Sequence, residues 1–259
     1  MNEKPAPIWP NPELRPRTKK VTVVMPAYHA EKTIEATLEA VPKEWVDDII
    51  VTDDASKDGT VEVSRRLGLH TLVHPRNRGY GGNQKTCYAE ALARGADIVV
   101  MVHPDHQYDP AAIPRLVTPL LEGRADAVFG SRMLGKRFVE GGMPRWKFVA
   151  NVLLTAVANV ILNMYLTEYH SGFRAYSRRY LETIKFERNS DDFVFDTEII
   201  AQGVVKNMTI EEIPITTRYF PEASQIGFVR SCVYGMGILK TLAKYVLFNS
   251  GLWRYPQFE

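Results

Sequence analysis

Residues 99–110 read Val-Val-Met-Val-His-Pro-Asp-His-Gln-Tyr-Asp-Pro. The apolar, β-branched start predicts a buried strand, which ends abruptly in polar residues. Ligands of open α/β sheets bind outside the carboxyl ends of strands, so His103, Asp105 and Gln107 are predicted to face a cleft. Oxygen donors at Asp105 and Gln107 suit a hard divalent cation. The alternative is a polar turn in which Asp109 caps the next helix, and both can hold together.

Strands and helices alternate around this stretch, which predicts a mostly parallel α/β sheet with right-handed crossovers. The predicted strands, with helices between them, cover residues 21–25, 48–52, 70–73, 97–102 and 125–129. In the second half the alternation is lost. The elements predicted there are helices at 146–166 and 193–205 and a strand at 211–219.

The composition is that of a soluble globular protein, with 45% hydrophobic and 24% charged residues in a chain of 259. A net charge of +2 says little about partners, and we expect no nucleic acid among them. Cys87 and Cys232 lie far apart and give no disulfide or metal pattern, so a reducing compartment is expected.

Two apolar segments raise the question of a membrane. Residues 149–166 carry no formal charge, but three asparagines interrupt them, and we expect a buried or interfacial helix rather than a membrane span. Residues 226–248 combine few charges with scattered cations and aromatic rings, which is typical of a helix on a membrane surface. Packing against the protein's own core explains that stretch equally well.

Polar residues follow four successive predicted strands, and parallel strands bring such loops to one edge of the sheet. The residues are Tyr28, Asp53 with Asp54, the turn at 77–82, and Asp105 with Gln107. Together they predict a polar pocket of nucleotide size. Carboxylates at Asp53 and Asp54 can accept hydrogen bonds from a ribose or a base, or Asp54 or Ser56 can simply cap the next helix.

The turn Asn77-Arg-Gly-Tyr-Gly-Gly82 opens a helix, and its N–H groups could hold an anion. It matches neither the dinucleotide nor the P-loop pattern, so purely structural glycines are the alternative. Arg132 ends the fifth strand with a planar guanidinium that suits phosphate oxygens. Residues 136–147 are basic and predict a lid, an acceptor-phosphate site or an ordinary solvated loop. Arg218 is predicted to point toward the same sheet edge.

In combination the motifs resemble family 2 glycosyltransferases of the GT-A fold, in particular the dolichyl- or polyprenyl-phosphate sugar synthases. The resemblance covers about residues 21–247. The motifs that carry it are Pro26-Ala-Tyr28, Asp53-Asp-Ala-Ser-Lys-Asp-Gly-Thr60, the turn at 77–82, Asp105-His-Gln-Tyr-Asp-Pro110, Gly130-Ser-Arg132 and Ser171-Gly-Phe-Arg174.

The resemblance implies a nucleotide-diphosphate sugar donor, a divalent metal (Mg²⁺ or Mn²⁺) and inversion at the anomeric carbon. The residues assigned to the donor are Pro26, Ala27, Tyr28, Asp53, Asp54, Gly79, Gly82, Lys85, Arg132 and Arg218. The metal is assigned to Asp105, Gln107 and His103, and catalysis to Asp105, Arg132, Asp196 and Glu198. A lipid phosphate needs no strong general base, whereas a hydroxyl acceptor needs one, for which Asp196, Glu198 and Glu168 are the candidates.

Two departures from the family pattern bear on the site. His103 stands where an acid is usual, and an imidazole is a poor Mg²⁺ ligand although it can bind Mn²⁺. The metal is therefore either a softer ion or is held by Asp105 and Gln107 alone. His29 and Ala30 stand where the family often has Asn and Glu, which removes one carboxylate from the nucleotide pocket.

The expected protein is an inverting glycosyltransferase that moves a sugar onto a polyprenyl phosphate. A saccharide or other hydroxyl acceptor, a non-catalytic nucleotide-sugar-binding module and a nucleotidyltransferase are the alternatives. We expect a cytoplasmic protein, peripheral on the membrane surface, and leave open a homo-oligomer. The predicted organisation is an extended arm at 1–20, a GT-A domain at 21–225 divided into a nucleotide-binding half (21–130) and an acceptor half (131–225), and a C-terminal amphipathic helix and tail at 226–259.

Overall fold

The computed structural model describes residues 19–134, 145–217 and 227–259. Within these ranges seven strands form one sheet flanked by helices. The strands are β1 (Val21–Ala27), β2 (Asp48–Asp53), β3 (His70–Val73), β4 (Ile98–Met101), β5 (Ala127–Ser131), β6 (Arg174–Ser177) and β7 (Ile210–Pro214). The helices are α1 (Ile34–Glu39), α2 (Thr60–Arg66), α3 (Gly79–Ala93), α4 (Ile113–Leu121), α5 (Arg145–Leu162), α6 (Arg178–Thr183), α7 (Phe195–Val205) and α8 (Phe228–Asn249).

The strand order is β3-β2-β1-β4-β6-β5-β7. Neighbouring strands are parallel except at β6, which runs antiparallel to both β4 and β5. The predicted α/β architecture with a mostly parallel sheet is therefore confirmed. Because β6 alone is reversed, its beginning lies at the same edge as the ends of the other six strands. This edge gathers the loops that carry the polar motifs.

Alternating side chains of the central strands enter two cores, one on each face of the sheet. Val24 of β1 belongs to the core that α3 and α7 cover, whereas Val23 and Met25 belong to the core that α1 and α4 cover. Both faces of the sheet are buried, which explains why the strands are nearly continuous apolar runs. The sheet is consequently a rigid platform for the loops at its edge.

Helices α5 and α8 pack against each other and against the first of these cores. On α8, Ile238 and Leu242 are buried, whereas Met236 is 63% exposed. On α5, Ala158 is buried and Val160 is 83% exposed. Each helix thus packs on the core with one side and presents apolar side chains on another, so the two interpretations of residues 226–248 are compatible. No helix among the described residues has both the length and the hydropathy to cross a bilayer.

Candidate active site

Asp53 and Asp54, the last residue of β2 and the one after it, have different tasks. Asp53 is fully buried; its Oδ2 accepts the N–H of Ser56 at 2.9 Å, and its Oδ1 has no partner among the described residues. Asp54 is saturated, because its carboxylate accepts the N–H groups of Arg78 (2.8 Å) and Gly79 (2.9 Å) and contacts His74 Nδ1 (2.7 Å). A buried carboxylate oxygen without a partner is costly unless a ligand donates to it, so Asp53 rather than Asp54 keeps an oxygen available to a ligand.

The end of β1 lies beside this pair. The carbonyl oxygen of Ala27 accepts the N–H of Asp54 at 2.9 Å and the side chain of Asn83 at 3.3 Å, and Pro26 and Ala27 are buried. Tyr28 is 52% exposed, and its ring stacks on His29, whose φ of 54° turns the chain sharply. The Tyr28 ring therefore offers an accessible flat face next to Asp53.

The N–H groups of the glycine turn are bonded mostly within the protein. The N–H of Gly79 is bonded to Asp54 and to Asn77, and the N–H of Gly82 donates to the carbonyl oxygen of Asp191 at 3.2 Å. Gly79 adopts a φ of +83°, and a Cβ there would lie 2.6 Å from the same carbonyl oxygen. These contacts support the structural interpretation of the glycines, which let α3 approach the segment before α7. Their assignment to the donor stays a prediction.

Lys85 is also engaged elsewhere. Its ammonium group lies 2.6 Å from Asp191 Oδ1 and donates to the carbonyl oxygen of Asn189. The side chain ties α3 to the segment before α7, and its assignment to the donor stays a prediction. The ion pair depends on a partner about a hundred residues away, which no local pattern reveals.

The turn after β4 was predicted to bind a ligand or to cap the next helix, and Asp105 and Asp109 differ in this respect. Asp109 accepts the N–H of Ala111 at 3.0 Å and caps a 3₁₀ turn at Pro110–Ala112. Asp105 Oδ1 accepts the N–H of Gln107 at 3.1 Å, and the side chain of Asp105 is partly exposed at the sheet edge. Within the described residues, no three or more His, Cys, Asp or Glu side chains are grouped to hold a metal ion. Asp105 is thus the acidic residue of this turn that is left for a ligand.

His103 faces a buried polar cluster. Its Nε2 lies 3.4 Å from the hydroxyl of Tyr80, and that hydroxyl donates to Asp196 Oδ2 at 2.9 Å. Burial lowers the pKa of His103, although the Asp105 and Asp196 carboxylates oppose this, so the imidazole is neutral at neutral pH. Burial, together with Asp196, raises the pKa of Tyr80 well above its usual value and keeps it a donor. The hydroxyl of Tyr80 thus links Asp196 to His103 in one cluster.

Arg174, the first residue of β6, is the buried cation that stabilises this cluster. It is 1% exposed, and its Nη1 lies 3.6 Å from Asp196 Oδ1. Its remaining donors reach the carbonyl oxygens of Ser171 and Tyr169, and its guanidinium lies over the ring of Phe129 at 4.8 Å. The role of Arg174 is therefore to position Asp196 and the segment before β6.

Glu198 is two residues after Asp196 on α7, about half a helical turn away, and has a different partner. Its Oε2 accepts the N–H of Ser190, and burial raises its pKa. It holds the segment that contacts the glycine turn. Glu198 therefore has partners different from those of Asp196, and its assignment to catalysis stays a prediction.

Arg132 and Glu168 form an ion pair. Arg132 Nε donates to Oε1 at 2.8 Å and its backbone N–H to Oε2 at 2.7 Å, while Asn151 of α5 donates to Oε1 at 2.9 Å. Burial by itself would raise the pKa of Glu168, but the Arg132 charge and these hydrogen bonds lower it below its usual value. Glu168 is consequently a weak base that orients Arg132.

Lys147 at the start of α5 adds a second cation close to Arg132. Lys147 lies one helical turn before Asn151, which donates to the same Glu168 carboxylate that Arg132 contacts. Burial, and with it the charge of Arg132, lowers the pKa of Lys147. Arg218, the predicted arm up to residue 18, and the basic residues at 136 and 137 lie outside the described residues. The side chain of Arg145 lies outside them too.

Sequence reasoning missed four residues that build this site: His74, Tyr80, Asn83 and Arg174. Tyr80 and Arg174 stand inside motifs that carried the family resemblance, so the motifs did contain a signal. Asn83 donates to the carbonyl oxygens of Ala27 and Thr52 and joins the ends of β1 and β2. His74 directly follows a short strand and has no pattern around it that indicates a function.

Comparisons with known proteins identify the family of the chain. Residues 22–185 match the family model for glycosyl transferase family 2. The UDP-N-acetylglucosamine–dolichyl-phosphate N-acetylglucosaminyltransferase of Methanococcus voltae is 27% identical over 218 residues, which cover 78% of this chain and 86% of that protein. The undecaprenyl-phosphate mannosyltransferase of Micrococcus luteus is 28% identical over 210 residues, 76% of this chain and 83% of that protein.

Among solved structures, the fold is similar to glucosyl-3-phosphoglycerate synthase from Mycobacterium tuberculosis in complex with Mn²⁺, uridine diphosphate and phosphoglyceric acid. The TM-score is 0.68 at 22% identity, covering 88% of this chain and 79% of that chain. This likeness confirms the predicted fold class.

Proposed function

The chain belongs to glycosyl transferase family 2, and from that premise we propose that it transfers a sugar from a nucleotide-diphosphate donor to a polyprenyl phosphate. The observation that carries the proposal is the convergence of Asp53, Asp105 and Arg132 at one edge of the sheet. These residues follow or end β2, β4 and β5, which share that edge. They offer a base or ribose acceptor, a metal ligand and a cation for phosphate.

The donor nucleotide is proposed to bind across the ends of β1 and β2. The unpartnered Oδ1 of Asp53 would accept an N–H or O–H from the base or the ribose. The exposed ring of Tyr28 would pack against the nucleoside. Asp54 and Asn83 support this pocket without contacting the donor, because their groups are engaged within the protein.

A divalent cation fits the chemistry of the turn after β4. Asp105 would hold it as a carboxylate ligand, with Gln107 and the neutral imidazole of His103 as neighbours. A site with one carboxylate suits a metal that takes further ligands from a substrate diphosphate and water, as Mg²⁺ does. When bound, the cation would neutralise charge on the departing diphosphate. Mn²⁺ would tolerate an imidazole ligand better than Mg²⁺.

Arg132 and Lys147 favour an anionic acceptor. Lys147 lies one turn before Asn151 on α5, and Asn151 contacts the Glu168 that orients Arg132, so an anion bound beside this pair would be attracted by both cations. A phosphate of a lipid is such an anion, and the two relatives named above act, by their names, on dolichyl and undecaprenyl phosphate. The reaction would join an acceptor phosphate oxygen to the anomeric carbon while the bond from that carbon to the diphosphate breaks, with inversion.

The exposed side chains of α5 and α8 support a membrane-surface location for the lipid acceptor. Leu153 and Val160 of α5 and Val233 and Met236 of α8 are exposed, and Lys240 and Lys244 lie on the same helix as the latter two. Apolar side chains mixed with cations are typical of helices that lie on anionic bilayers. Contacts of these helices with the site, through Asn151 to Glu168, would bring the lipid phosphate near Arg132.

A hydroxyl acceptor is the second candidate, and Asp196 is the observation that favours it. Its carboxylate lies near the same sheet edge and is hydrogen-bonded to Tyr80, and it would act as a general base if an acceptor hydroxyl came within hydrogen-bond reach of it. The M. tuberculosis structure named above contains phosphoglyceric acid, which carries a hydroxyl group as well as a phosphate.

The experiment that tests the proposed function incubates the purified protein with UDP- or GDP-linked sugars, a short polyprenyl phosphate and Mn²⁺ or Mg²⁺. We expect a glycosylated lipid phosphate by mass spectrometry, and we expect its formation to stop when the metal is chelated. Phosphoglyceric acid replaces the lipid in a parallel reaction. Glycosylation of that acceptor alone would favour the second candidate, and inertness with every donor and acceptor would contradict both.

A further inference from the structure

His74, which directly follows β3, contacts both acids at the end of β2. Its backbone N–H donates to the carbonyl oxygen of Asp53 at 2.9 Å, and its ring Nδ1 lies 2.7 Å from Asp54 Oδ1. The other ring nitrogen, Nε2, lies 2.9 Å from the hydroxyl of Thr86 on α3. The residue is 7% exposed. The imidazole is therefore held between β2 and α3 with both nitrogens bonded.

Asp54 connects His74 to the turn that opens α3. Its carboxylate accepts the backbone N–H groups of Arg78 and Gly79 as well as the contact from His74. An ionised carboxylate only accepts, so the Nδ1 atom of His74 carries a proton. Gly79 has a left-handed φ of +83°, a conformation that the hydrogen bond to Asp54 holds in place. His74 thus fixes the carboxylate that fixes the turn.

Asp53 depends on the same contacts. Its buried Oδ1 has no partner, so the direction of this oxygen is set by the neighbouring backbone and by the bond from Oδ2 to Ser56. The backbone carbonyl oxygen of Asp53 accepts the N–H of His74. The side chain of the next residue, Asp54, is bonded to the imidazole ring of His74. Loss of the ring leaves a buried carboxylate oxygen one donor short and loosens this strand end.

We propose that His74 is a positioning residue for nucleotide recognition, which aims Asp53 at the donor by clamping Asp53 and Asp54 from β3. The inference rests on the proposed function. His74 touches neither the donor nor the reacting atoms, and its effect belongs to binding of the nucleotide rather than to transfer of the sugar.

The test measures binding of uridine diphosphate and guanosine diphosphate, each with Mn²⁺, by calorimetry. Relative to wild type, His74→Ala should bind the preferred nucleotide about tenfold more weakly. His74→Asn should recover most of the affinity, because its amide can donate to Asp54 Oδ1 from the place of Nδ1. Hydrogen exchange at the amides of Arg78 and Gly79 should be faster in His74→Ala and near wild type in His74→Asn.

His70, the first residue of the strand that His74 follows, provides a matched control. His70 also pairs with a carboxylate, Glu90 at 2.8 Å, but away from the two acids of β2, so His70→Ala should keep wild-type affinity. Equal affinity in folded His74→Ala and wild type would overturn the proposal. So would an equal loss in His70→Ala, which would show a general weakening of β3. If wild type bound neither nucleotide, the proposed function would fail and the positioning role with it.

Discussion

Arg132 Nε donates to Glu168 Oε1 at 2.8 Å, and this pair joins the end of β5 to the segment before β6. Glu168 is fully buried, whereas the side chain of Arg132 is 14% exposed. The exposed part of the guanidinium faces the sheet edge, and the buried carboxylate fixes its orientation. An arginine oriented in this way can meet a phosphate without first losing much side-chain entropy.

The first prediction concerns the pH dependence of stability. The pKa of Glu168 is lowered in the folded protein, so its ionised form stabilises the fold above the usual value of 4.5, and this contribution is lost as the pH falls through the folded-state pKa. Glu168→Gln should lower the unfolding free energy at pH 7 by about 3 kcal/mol. The difference from wild type should shrink below pH 4.5. Urea titrations at several pH values measure it, and Glu122→Gln in an exposed pair is the control.

A second prediction separates the two acids of the turn after β4. Asp105→Asn should abolish sugar transfer, because a neutral amide is a much weaker metal ligand, while thermal stability stays within a few degrees of wild type. Asp109→Asn should retain transfer, since an asparagine caps a helix as well as an aspartate does. Transfer by Asp105→Asn at the wild-type rate would refute its role.

The effect of replacing Asp196 on the rate of transfer distinguishes the two types of acceptor. With a lipid phosphate as acceptor, Asp196→Asn should slow transfer by no more than about tenfold, because the phosphate is already anionic. Loss of a general base would cost about 10²–10⁴ in rate. Tyr80→Phe removes the 2.9 Å hydrogen bond but keeps the carboxylate, and it serves as the control for altered geometry. Single-turnover rates with saturating donor distinguish these outcomes.

Close packing at the glycine turn predicts an asymmetry between two glycines. A Cβ on Gly81 would lie 2.4 Å from the carbonyl oxygen of Ser190 and 2.8 Å from Phe195 Cβ. Gly81→Ala should therefore lower the unfolding free energy by about 1–3 kcal/mol. At Gly227, which has no atom within 4 Å of its Cβ position, alanine should change stability by less than about 0.5 kcal/mol. Similar losses of unfolding free energy in Gly81→Ala and Gly227→Ala would show that the neighbours of Gly81 move aside at little cost.

The exposed apolar side chains of α5 and α8 predict binding to lipid surfaces. The double variant Leu153→Glu/Met236→Glu should co-sediment less with vesicles that contain anionic lipid. Each change places a negative charge on the surface that is expected to contact the vesicles. Val73→Glu on β3, where the valine is 44% exposed, is the control. If the double variant sediments with vesicles as wild type does, these helices do not form the contact.

Much of the architecture follows from local sequence. Strands such as Val21–Ala27 and Ile98–Met101 are apolar and β-branched, so they form a sheet buried on both faces. Their polar ends meet at one edge because neighbouring strands are parallel. This rule does not predict the antiparallel direction of β6. The first residue of β6, Arg174, is buried by partners that are distant in sequence, and local sequence does not reveal them.

The sequence by itself determined the fold class and the acids that end β2 and follow β4, because the hydrophobic period and the position of polar residues after a strand are local properties. Only the tertiary structure decided which groups remain for a ligand. Asp53 keeps an unpartnered oxygen whereas Asp54 is saturated, and Lys85 is committed to Asp191. Hydrogen bonds between residues distant in sequence form only when packing brings them together, so no local pattern distinguishes an occupied polar group from an available one.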